Sequence, residues 1–258
     1  MSRFLIRIGV LVCLLTTAFF LIYHYHGDRF LETLRVGGAS YKPRPGTEVS
    51  VGDKVVVMAK TRRENTDWVA EELPSWQRAI YSVDDATAPL HTPANKGHEA
   101  MAYLSYIIEH YDALPATMAF VHSHRGSYLS WWHSWHTDAA AFSNPAALHH
   151  LQLAFVQRNG YVNLRCAWKP GCVHPERANA HVTPLTWSML FGNATPFPDR
   201  VAAACCAQFA VSRDRVRARR REEYVAYRDW LLNTELQDAK SGRVFEFSWH
   251  VIFGMDPV

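Results

Sequence analysis

The densest chemistry in the sequence lies in FVHSHRGSYLSWWHSWHTD, Phe120 to Asp138, where four histidines and three tryptophans fall within nineteen residues. His122-Ser123-His124 is its sharpest constellation. Alternating residues at a strand end project side by side, so two imidazoles can share a divalent metal, Mn or Zn. Alternatively, one of them can serve as general base toward an acceptor hydroxyl. His133, His136 and Asp138 are available as further ligands or as a base. Trp131, Trp132 and Trp135 offer flat apolar faces for a sugar ring or nucleobase, or else cover the core as an aromatic loop.

Four other places carry groups suited to a site. Asp84 and Asp85 close an apolar run and can coordinate a metal or hold a ribose hydroxyl. Glu99 lies in the first turn of a helix, where the dipole favours a carboxylate, and it is a candidate for substrate binding. Arg165 ends the apolar segment YVNLRC and needs a partner there. Glu246 and His250, in FEFSWH, share one face whether that segment is helix or strand, and would complete a site begun at His122. No GxSxG, HExxH, Walker or GxGxxG motif is present, so the common hydrolase, zincin and nucleotide-loop chemistries find no support.

These residues need elements to hold them. KVVVMA (Lys54 to Ala59), RAIYSVDD (Arg78 to Asp85) and MAFVH (Met118 to His122) read as short buried strands. Between them DWVAEELPSW reads as a helix stopped by Pro74. A second helix runs through NKGHEAMAYLSYIIEHYDALP, with Asn95 as cap and an apolar stripe of Ala100, Tyr103, Leu104, Ile107, Ile108 and Tyr111. SNPAALHHLQLAFVQRNG reads as one helix, capped by Ser143 or Asn144 and ended by Gly160. YVNLRC and CCAQFAVSR are strand-like, the latter after a proline-rich loop, and EEYVAYRDWLLNTEL is a helix. Alternating strands and helices predict an α/β fold, a mostly parallel sheet with helices on both faces. Ligands in such sheets bind at the carboxyl ends of the strands, which is where His122 to His124 and Asp84-Asp85 fall.

A chain of 258 residues and 29.4 kDa suffices for one core. Its charge of +3 is too mild to argue for nucleic acid, and none is expected as partner. The basic run RDRVRARRR, Arg213 to Arg221, reads as a solvated helix face or turn, with a phosphate-bearing donor as the alternative. FLIRIGVLVCLLTTAFFLIY, Phe4 to Tyr23, is long enough to span a bilayer, and HYHGD after it lacks a small-x-small cleavage pattern. Arg3 and Arg7 place the N-terminus in the cytoplasm. The expected organisation is a cytoplasmic tip and signal anchor over residues 1–23, a stalk over 24–50, and a lumenal α/β domain over 51–258. That makes a single-pass type II membrane protein facing the lumen of the endoplasmic reticulum or Golgi. Asn193-Ala194-Thr195 is a glycosylation sequon. Outside the anchor, Cys166, Cys172, Cys205 and Cys206 allow three disulfide connectivities, with at least one bridge expected and no CxxC pair to favour zinc.

The phrases NKGHEAMAYLSYIIEHYDALP with FVHSHR, GYVNLRC with PGC, and CCAQFAVSR with FSWHVIFG together resemble a fungal family of domains of unknown function. Its members are commonly N-terminally anchored and sometimes described as glycosyltransferase-like. The resemblance spans roughly residues 54 to 254 and implies a glycosyltransferase-A-like fold acting on a small-molecule or sugar-nucleotide substrate, with specialised metabolism as its setting. In that fold a DxD motif follows a strand and holds a metal with the donor diphosphate, and a late histidine can complete the coordination. Here His122-Ser123-His124 stands in the DxD place, and His250 is similar to the late histidine. Asp84-Asp85-Ala86-Thr87-Ala88 resembles the DDxxE motif of cyclodipeptide synthases with Ala88 in place of the final acid, which gives an amide-forming enzyme as the alternative. A non-catalytic lumenal binding protein is the third reading.

Overall fold

The computed structural model describes residues 53–126, 143–164, 181–204 and 206–258. These carry five strands: β1 (Lys54–Lys60), β2 (Gln77–Ser82), β3 (Thr117–Phe120), β4 (Tyr161–Asn163) and β5 (Phe209–Ser212). β1 has no polar face. Val55 and Val57 point into one apolar cluster, Val56 and Met58 into another, and none of the four is more than 2% exposed. A run of this kind suits the middle of a sheet covered on both sides.

The strand order is β2-β1-β3-β5-β4. β1 pairs in parallel with β2 and with β3, setting Val57 beside Ala79 and Phe120. β5 runs antiparallel to both of its neighbours, with Phe209 opposite Phe120 and Val211 opposite Tyr161. The sheet is therefore mixed, not mostly parallel as expected, because β5 enters from the other end. Its four residues are all buried, so the alternation of apolar and polar positions that often marks an antiparallel strand is missing.

On one face lie α2 (Glu99–Glu109), α7 (Arg221–Asn233), α8 (Asp238–Glu246) and α9 (Trp249–Ile252). Tyr103, Phe120, Phe209 and Trp249 form its aromatic centre, with ring centroids 4.9 Å apart for Tyr103–Phe120 and Phe120–Phe209 and 5.5 Å for Phe209–Trp249. Each ring is fully enclosed, and burial of one such side chain contributes about 1.5–3 kcal/mol. The other face is covered by α1 (Trp68–Glu72), α3 (Asn144–His149) and α4 (Leu153–Asn159), through Trp68, Val69, Leu148 and Val156. Helices thus cover both faces, as the alternating pattern predicts.

Several boundaries differ from the sequence reading. α2 begins at Glu99 with His98 at its cap, because Gly97 and His98 both adopt positive φ and turn the chain before the helix can start. Residues 143–160 form two helices rather than one. His150 closes α3, where its own imidazole meets the Ala146 carbonyl, and Gln152 caps α4. Ser143 does cap α3 by accepting from the Ala146 N–H, and Gly160 ends α4 at φ 84°. The proline-rich segment holds a helix, α5 (Pro184–Phe191), whose Thr183–Thr186 capping box and first-turn proline are sound start signals.

The basic run is a largely solvated helix and turn, with Arg217, Arg220 and Arg221 exposed, and several of its guanidinium groups also reach backbone carbonyls. After α6 (Arg213–Arg217), Arg217 donates to the carbonyls of Tyr111 and Asp112, Arg221 to that of Ile108, and Arg213 to that of Leu114. These are the carbonyls left over at and beyond the C-terminal end of α2, where cations suit the helix dipole. Among the described residues no helix is long and apolar enough to cross a membrane, and the segment 4–23 lies outside them.

Candidate functional site

From β1 the chain moves outward to β2, then crosses back to place β3 on the other side of β1. Such a reversal opens a crevice beyond the carboxyl ends of the two strands, the usual ligand position in sheets of this type. The crevice is reached by the residues after β1, up to Glu64, and by His122 to His124 after β3. Because β5 is antiparallel, its first residues arrive at this same edge.

The His122–His124 backbone is pinned from three sides. The His122 N–H donates to the side chain of Gln208 at 3.0 Å, the Ser123 carbonyl accepts from the Trp68 indole at 2.9 Å, and the His124 carbonyl accepts from the Asn144 amide at 2.9 Å. Gln208 and Asn144 are fully buried, so these amides serve the loop rather than solvent. The two imidazoles stand perpendicular with centroids 5.4 Å apart. Glu64 anchors the arrangement from the β1 side, accepting from the Ser123 hydroxyl and from the N–H and hydroxyl of Thr61 at 2.7 and 2.9 Å. Burial works against ionisation of Glu64, but these bonds, helped by the nearby His124, hold its carboxyl below the usual range. Burial lowers His124, with Glu64 opposing, so the ring favours its neutral form. A rigidly held pair of imidazoles beside a carboxylate, with the His124 ring favouring its neutral form, can accept a proton or bind a cation.

The second half of the site is a pair of carboxyls. Glu99, at the start of α2, keeps part of its surface accessible yet is enclosed by packed protein. Burial, and then the Glu246 carboxylate, push its carboxyl up to about 8. Glu246, the last residue of α8, accepts from the Cys206 N–H at 2.6 Å. Glycines permit this approach. A Cβ on Gly242 would sit 2.7 Å from the His98 ring and 3.1 Å from the Gly97 carbonyl, so only glycine lets α8 cross so close to the start of α2. One turn along α2, Tyr103 lies within the field of Glu99, and its buried hydroxyl has no hydrogen-bond partner among the described residues. A carboxyl that keeps its proton up to about 8 under the charge of a second carboxylate is suited to pass a proton to or from a reacting hydroxyl.

The structure thus brings His122 with His124, and Glu99 with Glu246. His250 turns elsewhere: the chain kinks between α8 and α9, and its Nε2 meets the Pro257 carbonyl at 3.1 Å beside a concavity of about 350 Å³. Asp84 accepts from the Arg62 N–H, and Asp85 holds Thr87 and pairs with Arg62 at 3.3 Å, so both brace the loops after β1 and β2. Asn193 is exposed in the turn after α5. Trp131, Trp132, Trp135, His133, His136, Asp138 and Arg165 lie outside the described residues. Cys206 is disulfide-bonded, and the other four cysteines also lie outside. Two imidazoles at this spacing suit a single ion, but among the described residues no group of three His, Cys, Asp or Glu could hold one. Sequence reasoning passed over Glu64, Gln208 and Asn144. A charged residue shortly beyond the end of a central strand was the available signal for Glu64.

No curated protein and no solved structure matches the chain. A family model does, over residues 56–258, from within β1 to beyond α9. The chain belongs to the family described as "Protein of unknown function (DUF3431)".

Proposed function

We propose that this protein is a glycosyltransferase-like transferase that works at the carboxyl edge of its sheet. The observation that carries the reading is the Glu99–Glu246 pair, the first carboxyl held protonated by burial and then by the charge of the second, at the edge where such folds keep their ligands. In the transfer, the acceptor hydroxyl attacks the anomeric carbon of an activated sugar. A new C–O bond forms, the bond to the diphosphate breaks with its electron pair, and the hydroxyl proton passes to the carboxyl pair. His122 and His124 would hold a divalent cation, Mn or Zn, whose charge would stabilise the departing diphosphate. The Ser123, Glu64 and Gln208 bonds fix the loop before substrate arrives, which is the preorganisation that transfer requires.

The apolar segment 4–23 and the disulfide at Cys206 suit a single-pass, lumen-facing enzyme in an oxidising compartment. Asp84 and Asp85 are occupied in bracing loops, which leaves the amide-forming alternative without a supporting observation. The test is donor turnover. Purified protein is incubated with a panel of nucleotide sugars and Mn or Zn, and released nucleotide diphosphate is measured. Release that falls at least a hundredfold in E246Q and in the His122/His124 double alanine variant, with binding retained, supports the reading. Binding without release for any donor would move the assignment to a lumenal binding protein.

A further inference from the structure

Opposite the candidate site, at the amino edge of the parallel strands, a cluster of arginines surrounds the point where residues 1–52 join the fold. β1 begins at Lys54, whose partner on β3 is Thr117, and Thr117 lies opposite Ser212, the last residue of β5. α6 therefore starts at the edge where the chain enters. Ala116 ties the pieces together. Its N–H donates to the Asp53 carboxylate at 2.7 Å, and its carbonyl accepts from the Arg213 N–H and from the Gln157 amide, both at 3.0 Å. Gln157 brings α4 to the same edge, where Arg215 reaches the Asn159 carbonyl. Arg217, Arg220 and Arg221 are exposed, and so is Arg158, which lies over the Phe155 ring at 5.7 Å. Phe155 is itself 42% exposed, unusual for so large an apolar side chain in this protein. Six arginines and one acid fall between Arg213 and Arg221, and the arginines still outnumber the acids when Asp112, Glu222 and Glu223 are included.

We propose that this arginine-rich edge docks on an anionic lipid surface, that of the bilayer holding residues 4–23, and so turns the carboxyl edge with its candidate site away from the membrane. The inference rests on the reading of 4–23 as an anchor and not on the transfer chemistry. Residues 24–52 reach at most roughly 100 Å when fully extended, so a tether of this length does not by itself choose which face meets the bilayer. It does hold the domain near the surface at an effective concentration in roughly the millimolar range. Contacts too weak to capture a free protein then suffice to set its orientation. Guanidinium forks match the phosphate oxygens of headgroups, and clustered arginines beside an anchor are drawn to an anionic surface. Arg213, Arg215 and Arg217 keep their charge while bonded to backbone carbonyls, and those bonds fix their position before lipid is met. Phe155 beside Arg158 adds an apolar ring that suits the boundary of headgroups and acyl chains. Arg63 is also exposed, but it follows the other end of β1, roughly 20 Å away, and stands outside this contact.

The experiment reconstitutes the full chain, with the folded domain outward, into vesicles of phosphatidylcholine alone and of phosphatidylcholine with phosphatidylglycerol. An uncharged, arginine-selective dicarbonyl is added, and the labelling rate of each arginine is read by mass spectrometry. The expected result is labelling of Arg158, Arg217 and Arg220 at least fivefold slower on the anionic vesicles, with Arg63 unchanged. High salt should restore the faster rates, because it screens the attraction. Equal rates at the three arginines on both vesicles overturn the docking. Slowing that extends equally to Arg63 overturns it as well, since the lipid would then act on the whole domain and not on one edge. A full chain that fails to float with the neutral vesicles removes the anchor, and the proposal with it. No sugar donor enters the assay, so each of these failures leaves the transferase reading standing, and a failure of donor turnover leaves the docking standing.

Discussion

Replacing Glu99 with glutamine keeps its shape and removes its titration. Glu99 in the folded protein holds its proton up to about 8, against 4.5 for the free side chain. Between those two values the folded state binds a proton that the unfolded state has released. Stability supplied by this group is therefore complete below about pH 4.5 and is lost as pH rises through about 8. Each pH unit inside the window is worth about 1.36 kcal/mol, so the whole window is worth on the order of 5 kcal/mol. Against a typical domain stability of about 5–15 kcal/mol, that is a large term.

The assay is urea denaturation of wild type and E99Q at half-unit steps from pH 5 to 9. Wild type should lose stability relative to E99Q at close to the full slope until about pH 8, then run parallel to it. E246Q should shorten the window without closing it, because burial is the larger cause of the shift and the Glu246 charge the smaller. Parallel curves for wild type and E99Q across the whole range would refute the reasoning, since they would mean that Glu99 titrates alike folded and unfolded.

Gly242→Ala places a Cβ against the His98 ring and the Gly97 carbonyl, so it should cost about 1–3 kcal/mol and lower the Glu99 midpoint toward the ordinary range, both readable in one denaturation series. Phe209→Ala empties the aromatic centre and should cost about 3–5 kcal/mol by thermal or urea unfolding, with lost packing under Tyr103 and Trp249. Arg221→Ala strips the Ile108 carbonyl of its charged partner and should cost about 1.5–3 kcal/mol, visible as a lower urea midpoint. His124 and His250 are both held below the ordinary histidine value, chiefly by burial, so the unfolded chain takes up more protons in acid. Stability should therefore fall as pH drops below about 6.5, and H250N should flatten part of that fall even if its absolute stability is lower.

Much of the fold is written in local patterns. The apolar runs at Val55–Met58 and Phe209–Ser212 announce strands because every residue must be buried, and the stripe from Ala100 to Ile108 announces α2 because its spacing matches a helix against a sheet. The His122–His124 position was legible for the same reason, since it follows a buried strand in an alternating pattern. Helix breaks were less legible. Nothing in the composition of HHLQL forbids a continuous helix, and the interruption comes from the His150 ring meeting the Ala146 carbonyl, a contact that only the folded chain reveals. The arginine run was legible only in part. Its charge was visible, but the carbonyls that it satisfies lie about a hundred residues upstream.

The Glu99–Glu246 pair shows why the site was harder to read than the fold. Each residue alone is an ordinary helix-terminal glutamate. They meet because Gly97 and Gly242 allow two helices to cross closely, and Glu246 is held because Cys206 enters from the start of β5. Were β5 parallel to its neighbours, Cys206 and Gln208 would lie at the far end of the sheet. Gln208 could not then accept from the His122 N–H, and Glu246 would lose its Cys206 partner. The strand direction that local sequence could not give is therefore the feature on which both halves of the candidate site depend. Conversely, any variant that disturbs the entry to β5 should affect the histidine loop and the carboxyl pair together, although the two share no direct contact among the described bonds.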